Sequence, residues 1–176
     1  TTISPSFLDC QFNFNRADND GGALSISVIQ KVIINNCTFN NNTAETGYAG
    51  AIFIEPDFSN DDGHSFNSQK LYSESYTISN SKFIGNIAIT DAMAIYIPSA
   101  SHGTKIVIND GCEFIDHAVY NNNAGIQSTD TIIADSTSDF TFESSSIMIT
   151  SYNSGFTKTT RGIRISGAAN IINSFF

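Results

Sequence analysis

The sequence predicts an all-β fold, a right-handed single-stranded parallel β-helix (a solenoid) of about five to six rungs with loop insertions. Three observations predict it: an imperfect repeat marked by phenylalanine anchors, short alternating apolar segments at similar offsets from those anchors, and turn-forming residues between the segments. Segments this short cannot bury a face alone, so equivalent segments of successive units are expected to stack. The handedness follows from the general crossover preference of parallel strands.

Each repeat begins near a phenylalanine that follows a turn-forming residue by three positions. The six anchors are Phe12, Phe39, Phe83, Phe114, Phe142 and Phe176. Asparagine stands three residues after the first three anchors, at Asn15, Asn42 and Asn86, whereas His117 and Ser145 follow the next two. We expect the asparagines to stack as a ladder of side-chain amides at a corner of the coil. Calcium or sugar binding is the alternative for these positions.

A cluster of small residues followed by an aliphatic one comes after most anchors and is expected to start another strand. The clusters are Gly22-Ala23-Leu24, Gly50-Ala51-Ile52, Met93-Ala94-Ile95, Ala124-Gly125-Ile126 and Arg161-Gly162-Ile163. Each unit is therefore predicted to hold about three short β segments. Because the anchor spacing varies, the extra residues are expected to loop outward, at 55–75, 98–104 and 150–160.

Composition bounds the function. The chain has 176 residues and a formal charge of −9, from 8 basic and 17 acidic side chains. Such a surface repels phosphate backbones, so no nucleic-acid partner is expected. No apolar run approaches the ~20 residues of a membrane helix, so no membrane insertion by this segment is expected. Asn, Ser and Thr supply most polar groups, which favours an extracellular or cell-surface protein. Residues 1–176 are predicted to be a single β-helix segment of a larger protein.

Three cysteines and two N-x-S/T sequons are the candidates for covalent modification. Cys10, Cys37 and Cys112 have no zinc-binding spacing. Cys10 and Cys37 share one position of the repeat, and we expect all three cysteines to point inward as small apolar groups. A Cys10–Cys37 disulfide is the alternative. Asn36 and Asn41 head N-x-S/T sequons and are candidate glycosylation sites.

Two motifs of the repeat carry a resemblance to a known family. Phe-x-x-Asn occurs at Phe12/Asn15, Phe39/Asn42 and Phe83/Asn86, and Gly-Gly-Ala-Leu at 21–24 is nearly repeated as Ala-Gly-Ala-Ile at 49–52. This pairing resembles the GGA[I/L/V]/FxxN repeats of polymorphic outer-membrane proteins (Pmp), large chlamydial autotransporters within the pectin-lyase-like β-helix class. The resemblance covers roughly residues 7–97 and fades where His117 replaces the asparagine. It implies a surface passenger β-helix with an adhesive or structural role.

Other side chains indicate a possible enzyme. Polysaccharide hydrolases and lyases use paired carboxylates with His and a basic partner. The candidates are Asp61, Asp62, His64, Asp116, His117 and Arg164. Three of them share one polar loop, where carboxylates are more often only solvated. A weak calcium site at Asp57, Asp61 and Asp62 is a further alternative.

Two outward aromatics, Phe53 and Tyr96, fall at matching positions on neighbouring rungs and could stack on sugars or pack beneath residues 55–75. The sequence thus favours a non-catalytic structural or adhesive segment that needs no cofactor. Its expected partners are neighbouring β-helix rungs or other chains of a larger assembly, together with glycans in the binding alternative. A polysaccharide-active enzyme or a carbohydrate-binding module on the same fold is the alternative.

Overall fold

The computed structural model describes residues 4–28, 31–56, 75–98, 105–115, 118–119, 129–134, 139–148, 160–165 and 168–176. Within these ranges the regular elements are all β-strands. The strands are short because each run of alternating residues ends at a residue that turns the chain.

The strands follow one another in coils, which we call rungs. The first rung contains β1 (Ser6–Leu8), β2 (Gln11–Asn13), β3 (Arg16–Ala17) and β4 (Leu24–Val28). The second contains β5 (Lys31–Asn35), β6 (Thr38–Asn40), β7 (Thr43–Ala44) and β8 (Ile52–Pro56). The third contains β9 (Ser75–Ser79), β10 (Lys82–Ile84), β11 (Ile87–Ala88) and β12 (Ile95–Ile97).

The later rungs follow the same order with fewer described strands. The fourth contains β13 (Lys105–Asn109), β14 (Glu113–Ile115), β15 (Ala118–Val119) and β16 (Thr129–Ala134). The fifth contains β17 (Asp139–Glu143), β18 (Ser146–Met148) and β19 (Thr160–Ile165). A sixth begins with β20 (Ala169–Ile172).

Equivalent strands of successive rungs pair in parallel and form four sheets. Sheet A has the order β1-β5-β9-β13-β17-β20, and sheet B has β18-β14-β10-β6-β2. Sheet C has β15-β11-β7-β3, and sheet D has β19-β16-β12-β8-β4. The chain therefore visits sheets A, B, C and D in turn before it returns to A one rung further on. The prediction of an all-β parallel β-helix is confirmed.

The number of strands per rung differs from the sequence prediction of about three. The strands of sheet C are two residues long, at Arg16–Ala17, Thr43–Ala44, Ile87–Ala88 and Ala118–Val119. A two-residue strand contains no complete alternation of apolar and polar residues, so periodicity does not reveal it. The fourth sheet was missed for this reason.

The assignment of Phe142 as an anchor is wrong. Phe142 pairs with Ile108 in sheet A, whereas the partner of the anchor Phe114 in sheet B is Ile147. Phe140 and Phe142 alternate in β17 and follow Asp139, so they imitate the turn-x-x-Phe pattern of a real anchor. Ser145 accordingly lies at the cysteine position of the repeat and not at the asparagine position.

The small-residue cluster of the fourth rung was also misplaced. Ile95 pairs with Ile132, so Thr131 and Ile132 occupy the position assigned to Gly125 and Ile126. Residues 120–128 lie outside the described residues. Since loop lengths change from rung to rung, a small-residue motif alone does not fix the register.

The predicted insertions are delimited on both sides by strands. Glu55 and Pro56 belong to β8, Ser75 begins β9, and Thr160 begins β19. Residues 57–74, 99–104 and 149–159 lie outside the described part of the chain. The strands that flank these segments keep the parallel register from one rung to the next.

One apolar core runs through the stack. Inward side chains of sheets A, B and D form a single buried cluster, which includes Val32, Ile34, Phe39, Ile52 and Ile54. Each of these side chains is at most 1% exposed. Burial of a side chain of this size contributes roughly 1.5–3 kcal/mol, so the stacked columns supply the main stabilisation of the coil.

Candidate functional site

The asparagine positions form a continuous ladder in the first three rungs. Asn42 donates from Nδ2 to Asn86 Oδ1 at 2.9 Å, and its own Oδ1 accepts from Asn15 Nδ2 at 2.9 Å. The backbone N–H groups of Asn15 and Asn42 donate to the same two oxygens, each at 3.0 Å. Asn42 and Asn86 also donate to the carbonyl oxygens of Phe12 and Phe39, each at 2.9 Å. The predicted ladder is present, and it satisfies amides whose side chains are 0% exposed at Asn42 and Asn86.

The phenylalanine anchors of sheet B form a second column inside the coil. Phe12, Phe39, Phe83 and Phe114 are in register, with ring centroids 4.8, 4.8 and 4.6 Å apart and planes within 5° of parallel. This spacing is that of the strands themselves, ~4.8 Å, so the backbone register sets the ring contacts. Phe142 contacts Phe114 from sheet A at 6.2 Å between centroids.

Cysteines and serines together form a third column, at the corner between sheets A and B. Each hydroxyl or thiol donates to a nearby backbone carbonyl. The donor–acceptor pairs are Cys10–Leu8, Cys37–Asn35, Ser81–Ser79, Cys112–Asn109, Ser145–Glu143 and Ser174–Ile172, at 2.7–3.3 Å. A small donor is therefore what this corner requires, and either residue type supplies it.

The three cysteines are free thiols. Cys37 and Cys112 are buried, as predicted, whereas Cys10 in the first rung is partly exposed. Burial raises the pKa of the Cys112 thiol to about 11 and also raises the pKa of Cys37. Thiols held protonated in this way are poor nucleophiles, which argues against a catalytic cysteine at these two positions.

The corners between sheets contain residues with left-handed backbone conformation. At the corner of sheets A and B these include Asp9 (φ 54°), Asn36 (φ 53°) and Asn80 (φ 47°). Asn36 Nδ2 donates to Asp9 Oδ1 at 2.6 Å, and Asn80 Nδ2 donates to Asn36 Oδ1 at 3.4 Å. These side chains form an exposed second ladder that includes the first sequon asparagine.

The second sequon lies at the corner between sheets B and C. Phe14 (φ 56°), Asn41 (φ 52°) and Gly85 (φ 58°) occupy the equivalent position on successive rungs. Asn41 is exposed, and its Nδ2 donates to Asn40 Oδ1 at 2.9 Å. Both sequon asparagines are thus at the surface, in different hydrogen-bonding environments.

The outward aromatics form a small cluster on sheet D. Phe53 and Tyr96 are in register, with ring centroids 5.8 Å apart and planes inclined by 50°. Tyr48, which the sequence reasoning did not single out, contacts Tyr96 at 4.6 Å between centroids. Both Phe53 and Tyr96 are partly buried. The rings therefore pack on one another and leave part of their surface exposed.

Arg164 is the one member of the enzyme hypothesis within the described residues. Its Nη1 lies 3.3 Å from Asp91 Oδ2, and both side chains are partly buried. Asp91 was not predicted as a site residue. It occupies the corner before Ala92-Met93-Ala94, as Tyr48 does before Ala49-Gly50-Ala51, so the small-residue motif could have located it. Asp61, Asp62, His64, Asp116 and His117 lie outside the described residues.

The sequence also predicted a weak calcium site. Asp57, Asp61 and Asp62 lie outside the described residues, so the calcium hypothesis stays a prediction. Among the residues that the structure does describe, no three His, Cys, Asp or Glu side chains are grouped to hold a metal ion. The described part of the chain also contains no helix with the length and apolar character of a membrane span.

No protein-family model, no curated protein and no solved structure matches this chain.

Proposed function

We propose that this chain is a non-catalytic structural or adhesive β-helix segment of a secreted or cell-surface protein. One observation carries the proposal: the described polar side chains that recur along the repeat direct their hydrogen bonds to other groups of the coil, on the same rung or on a neighbouring one. Asn42 and Asn86 bond to one another and to backbone carbonyls. The serines and cysteines of the corner bond to carbonyls close in sequence. Groups used in this way maintain the coil and are not free to act on a substrate.

The last described rung leaves core positions uncovered. Ile171 stacks beneath Phe142 in sheet A, yet it is 52% exposed. Phe176 contacts Phe142 at 5.8 Å between centroids and is 67% exposed. Strand β20 also presents an outer edge whose backbone groups can pair with another strand. We propose that neighbouring β-helix rungs, or another chain of a larger assembly, cover this surface.

Sedimentation velocity over a concentration series tests this role. The wild-type chain is expected to self-associate, because a second copy of the chain can cover this surface. The double substitution Ile171→Asp and Phe176→Asp is expected to abolish association, since charged groups would enter the uncovered core. Met148→Asp is the matched control, because Met148 is 50% exposed on the outer face of sheet B. A wild-type chain that remains monomeric at all concentrations would refute the end-docking role.

A sugar-binding module is the second candidate, and the cluster of Tyr48, Phe53 and Tyr96 favours it. Exposed aromatic surface on a rigid sheet can pack against the C–H groups of a sugar ring. A glycan array tests this function with wild type and Tyr96→Ala. Binding that disappears in Tyr96→Ala but persists in Phe14→Ala would support the module. Binding that both variants retain would exclude this cluster as the site.

A further inference from the structure

The two sequons present their asparagines at neighbouring corners of the second rung. Asn36 precedes Cys37-Thr38 between sheets A and B, and Asn41 precedes Asn42-Thr43 between sheets B and C. Both asparagines are exposed and have similar left-handed φ values of 53° and 52°. Backbone conformation therefore does not distinguish the two asparagines as modification sites. Any difference between them must come from the surroundings of their side-chain amides.

The side-chain amide of Asn36 makes hydrogen bonds to both neighbouring rungs. Its Nδ2 lies 2.6 Å from the carboxylate of Asp9 on the rung above, and its Oδ1 accepts from Asn80 on the rung below. A sugar attached to Nδ2 replaces one N–H and adds bulk at the contact with Asp9. A glycan at Asn36 would thus disrupt the exposed ladder of the folded coil.

The surroundings of Asn41 are more open. Phe14, Asn41 and Gly85 stack in one column, and their backbone N–H groups donate at 2.9 Å to Asn40, Ile84 and Ile115, respectively. Gly85 has no side chain, and a Cβ there would lie 2.5 Å from Asn41 Oδ1. The glycine therefore leaves room for the Asn41 carboxamide oxygen, while Asn41 Nδ2 donates within its own rung to Asn40 Oδ1 at 2.9 Å and, unlike Asn36 Nδ2, not to a carboxylate of another rung.

Phe14 adds an apolar surface beside this position. It lies one rung above Asn41, at a strand spacing of ~4.8 Å, and the residue is 73% exposed. A large aromatic residue with positive φ and so much exposed surface is unfavourable in a free corner. The ring thus offers an apolar surface next to the Asn41 corner, against which the C–H face of a sugar can pack.

We propose that Asn41 carries an N-linked glycan whose first sugar packs on Phe14, and that Asn36 stays unmodified in the folded protein. In the reaction, Nδ2 of Asn41 displaces a lipid-linked pyrophosphate from C1 of the oligosaccharide donor. An N–C bond forms, the sugar–phosphate C–O bond breaks, and one amide proton passes to a base of the transferase. The inference rests on the proposed secreted or surface location.

Glycopeptide mapping of the full chain, secreted from eukaryotic cells behind a signal peptide, tests the site. The expected result is a glycan at Asn41 that Thr43→Ala abolishes, and an unmodified Asn36. An unmodified Asn41, or a folded product equally occupied at Asn36, would overturn the proposal. This readout is independent of end-to-end association, which sedimentation measures separately, so the two proposals can fail separately.

A double-mutant cycle on secreted protein tests the contact with Phe14. The four proteins are wild type, Asn41→Gln, Phe14→Ala and the double variant. If the glycan packs on the ring, Asn41→Gln lowers the Tm of the wild-type background by about 2 °C or more beyond its effect in the Phe14→Ala background. Any effect of glutamine on the corner itself cancels between the two backgrounds. Equal Tm changes in both backgrounds would refute the packing contact.

Discussion

Asn42 and Asn86 are joined twice across the gap between two rungs. Asn86 Oδ1 accepts from the Nδ2 of Asn42 at 2.9 Å and from its backbone N–H at 3.0 Å. Both side chains are fully buried, so water cannot replace these bonds. The pair therefore fixes the register of two rungs at a corner where the strands of sheet C are only two residues long.

Asn42→Ala is expected to destabilise the protein by about 3 kcal/mol. The substitution leaves Phe12 O and the two Asn15 N–H donors without their partner and removes one of the two bonds to Asn86 Oδ1, which still accepts from the backbone N–H of residue 42. Each group left unpaired away from water costs roughly 1–3 kcal/mol. Urea unfolding followed by circular dichroism measures the change. Asn13→Ala is the control, because Asn13 is exposed and makes only a 3.5 Å bond to Gln11, and it is expected to cost less than about 0.5 kcal/mol. Similar costs for both variants would show that the ladder adds nothing to stability.

The stacked anchors predict a second large effect. Phe83 is fully buried between Phe39 and Phe114, so Phe83→Ala is expected to cost about 3–5 kcal/mol in the free energy of unfolding. Phe14→Ala removes the same atoms from an exposed position and is expected to change stability by about 0.5 kcal/mol or less in unglycosylated protein. Thermal and urea unfolding of both variants measure the difference. A loss at Phe83 as small as that at Phe14 would contradict the buried column.

Alanine substitutions at two glycines distinguish the cost of a steric clash from the cost of a left-handed backbone conformation. A Cβ at Gly50 would lie 2.5–2.6 Å from backbone atoms of Ile87 and Met93 on the next rung. Gly50→Ala is therefore expected to cost about 3 kcal/mol or more, because overpacking against backbone cannot relax cheaply. Gly111 has φ +78° but no heavy atom within 4 Å of that position, so Gly111→Ala is expected to cost only about 1 kcal/mol. The reverse order in urea unfolding would show that the rungs are not packed this closely.

The Cys112 thiol predicts a loss of stability at alkaline pH. Burial raises its pKa from 9.0 to about 11 in the folded protein. Between these values the unfolded chain releases the proton and the folded chain keeps it, so stability falls as pH rises from about 9 to 11, by roughly 2 kcal/mol. Cys112→Ser removes this group, and Ser81 and Ser145 show that serine fits the column. The difference in unfolding free energy between wild type and Cys112→Ser should therefore change over this range and stay constant below pH 8. A difference that is flat at all pH values would refute the buried thiol.

The sequence predicted the fold through residues that recur in the first four rungs, and it failed where the recurrence weakens. Phe12, Phe39, Phe83 and Phe114 stack in register because turn residues precede them at a constant distance. Phe142 misled the alignment because alternation within sheet A produces the same local spacing as a turn followed by an anchor. Sheet C was missed because two-residue strands carry no periodicity.

Contacts between distant residues could not be predicted in the same way. Arg164 reaches Asp91, 73 residues away in sequence and two rungs away in the coil, so only the three-dimensional register brings them together. Tyr48 belongs to the aromatic cluster because its corner lies beside Tyr96 on the next rung. The asparagine ladder was accessible from sequence because its members share one position of the repeat.

Product release from polysaccharides tests the central claim most directly. The full chain is incubated with a panel of acidic and neutral polysaccharides, and new reducing or unsaturated sugar ends are measured over time. The proposed structural or adhesive role predicts no product above the level of a buffer control with any of them. Release of product that Asp62→Asn or Asp116→Asn abolishes would contradict the account and identify an enzyme.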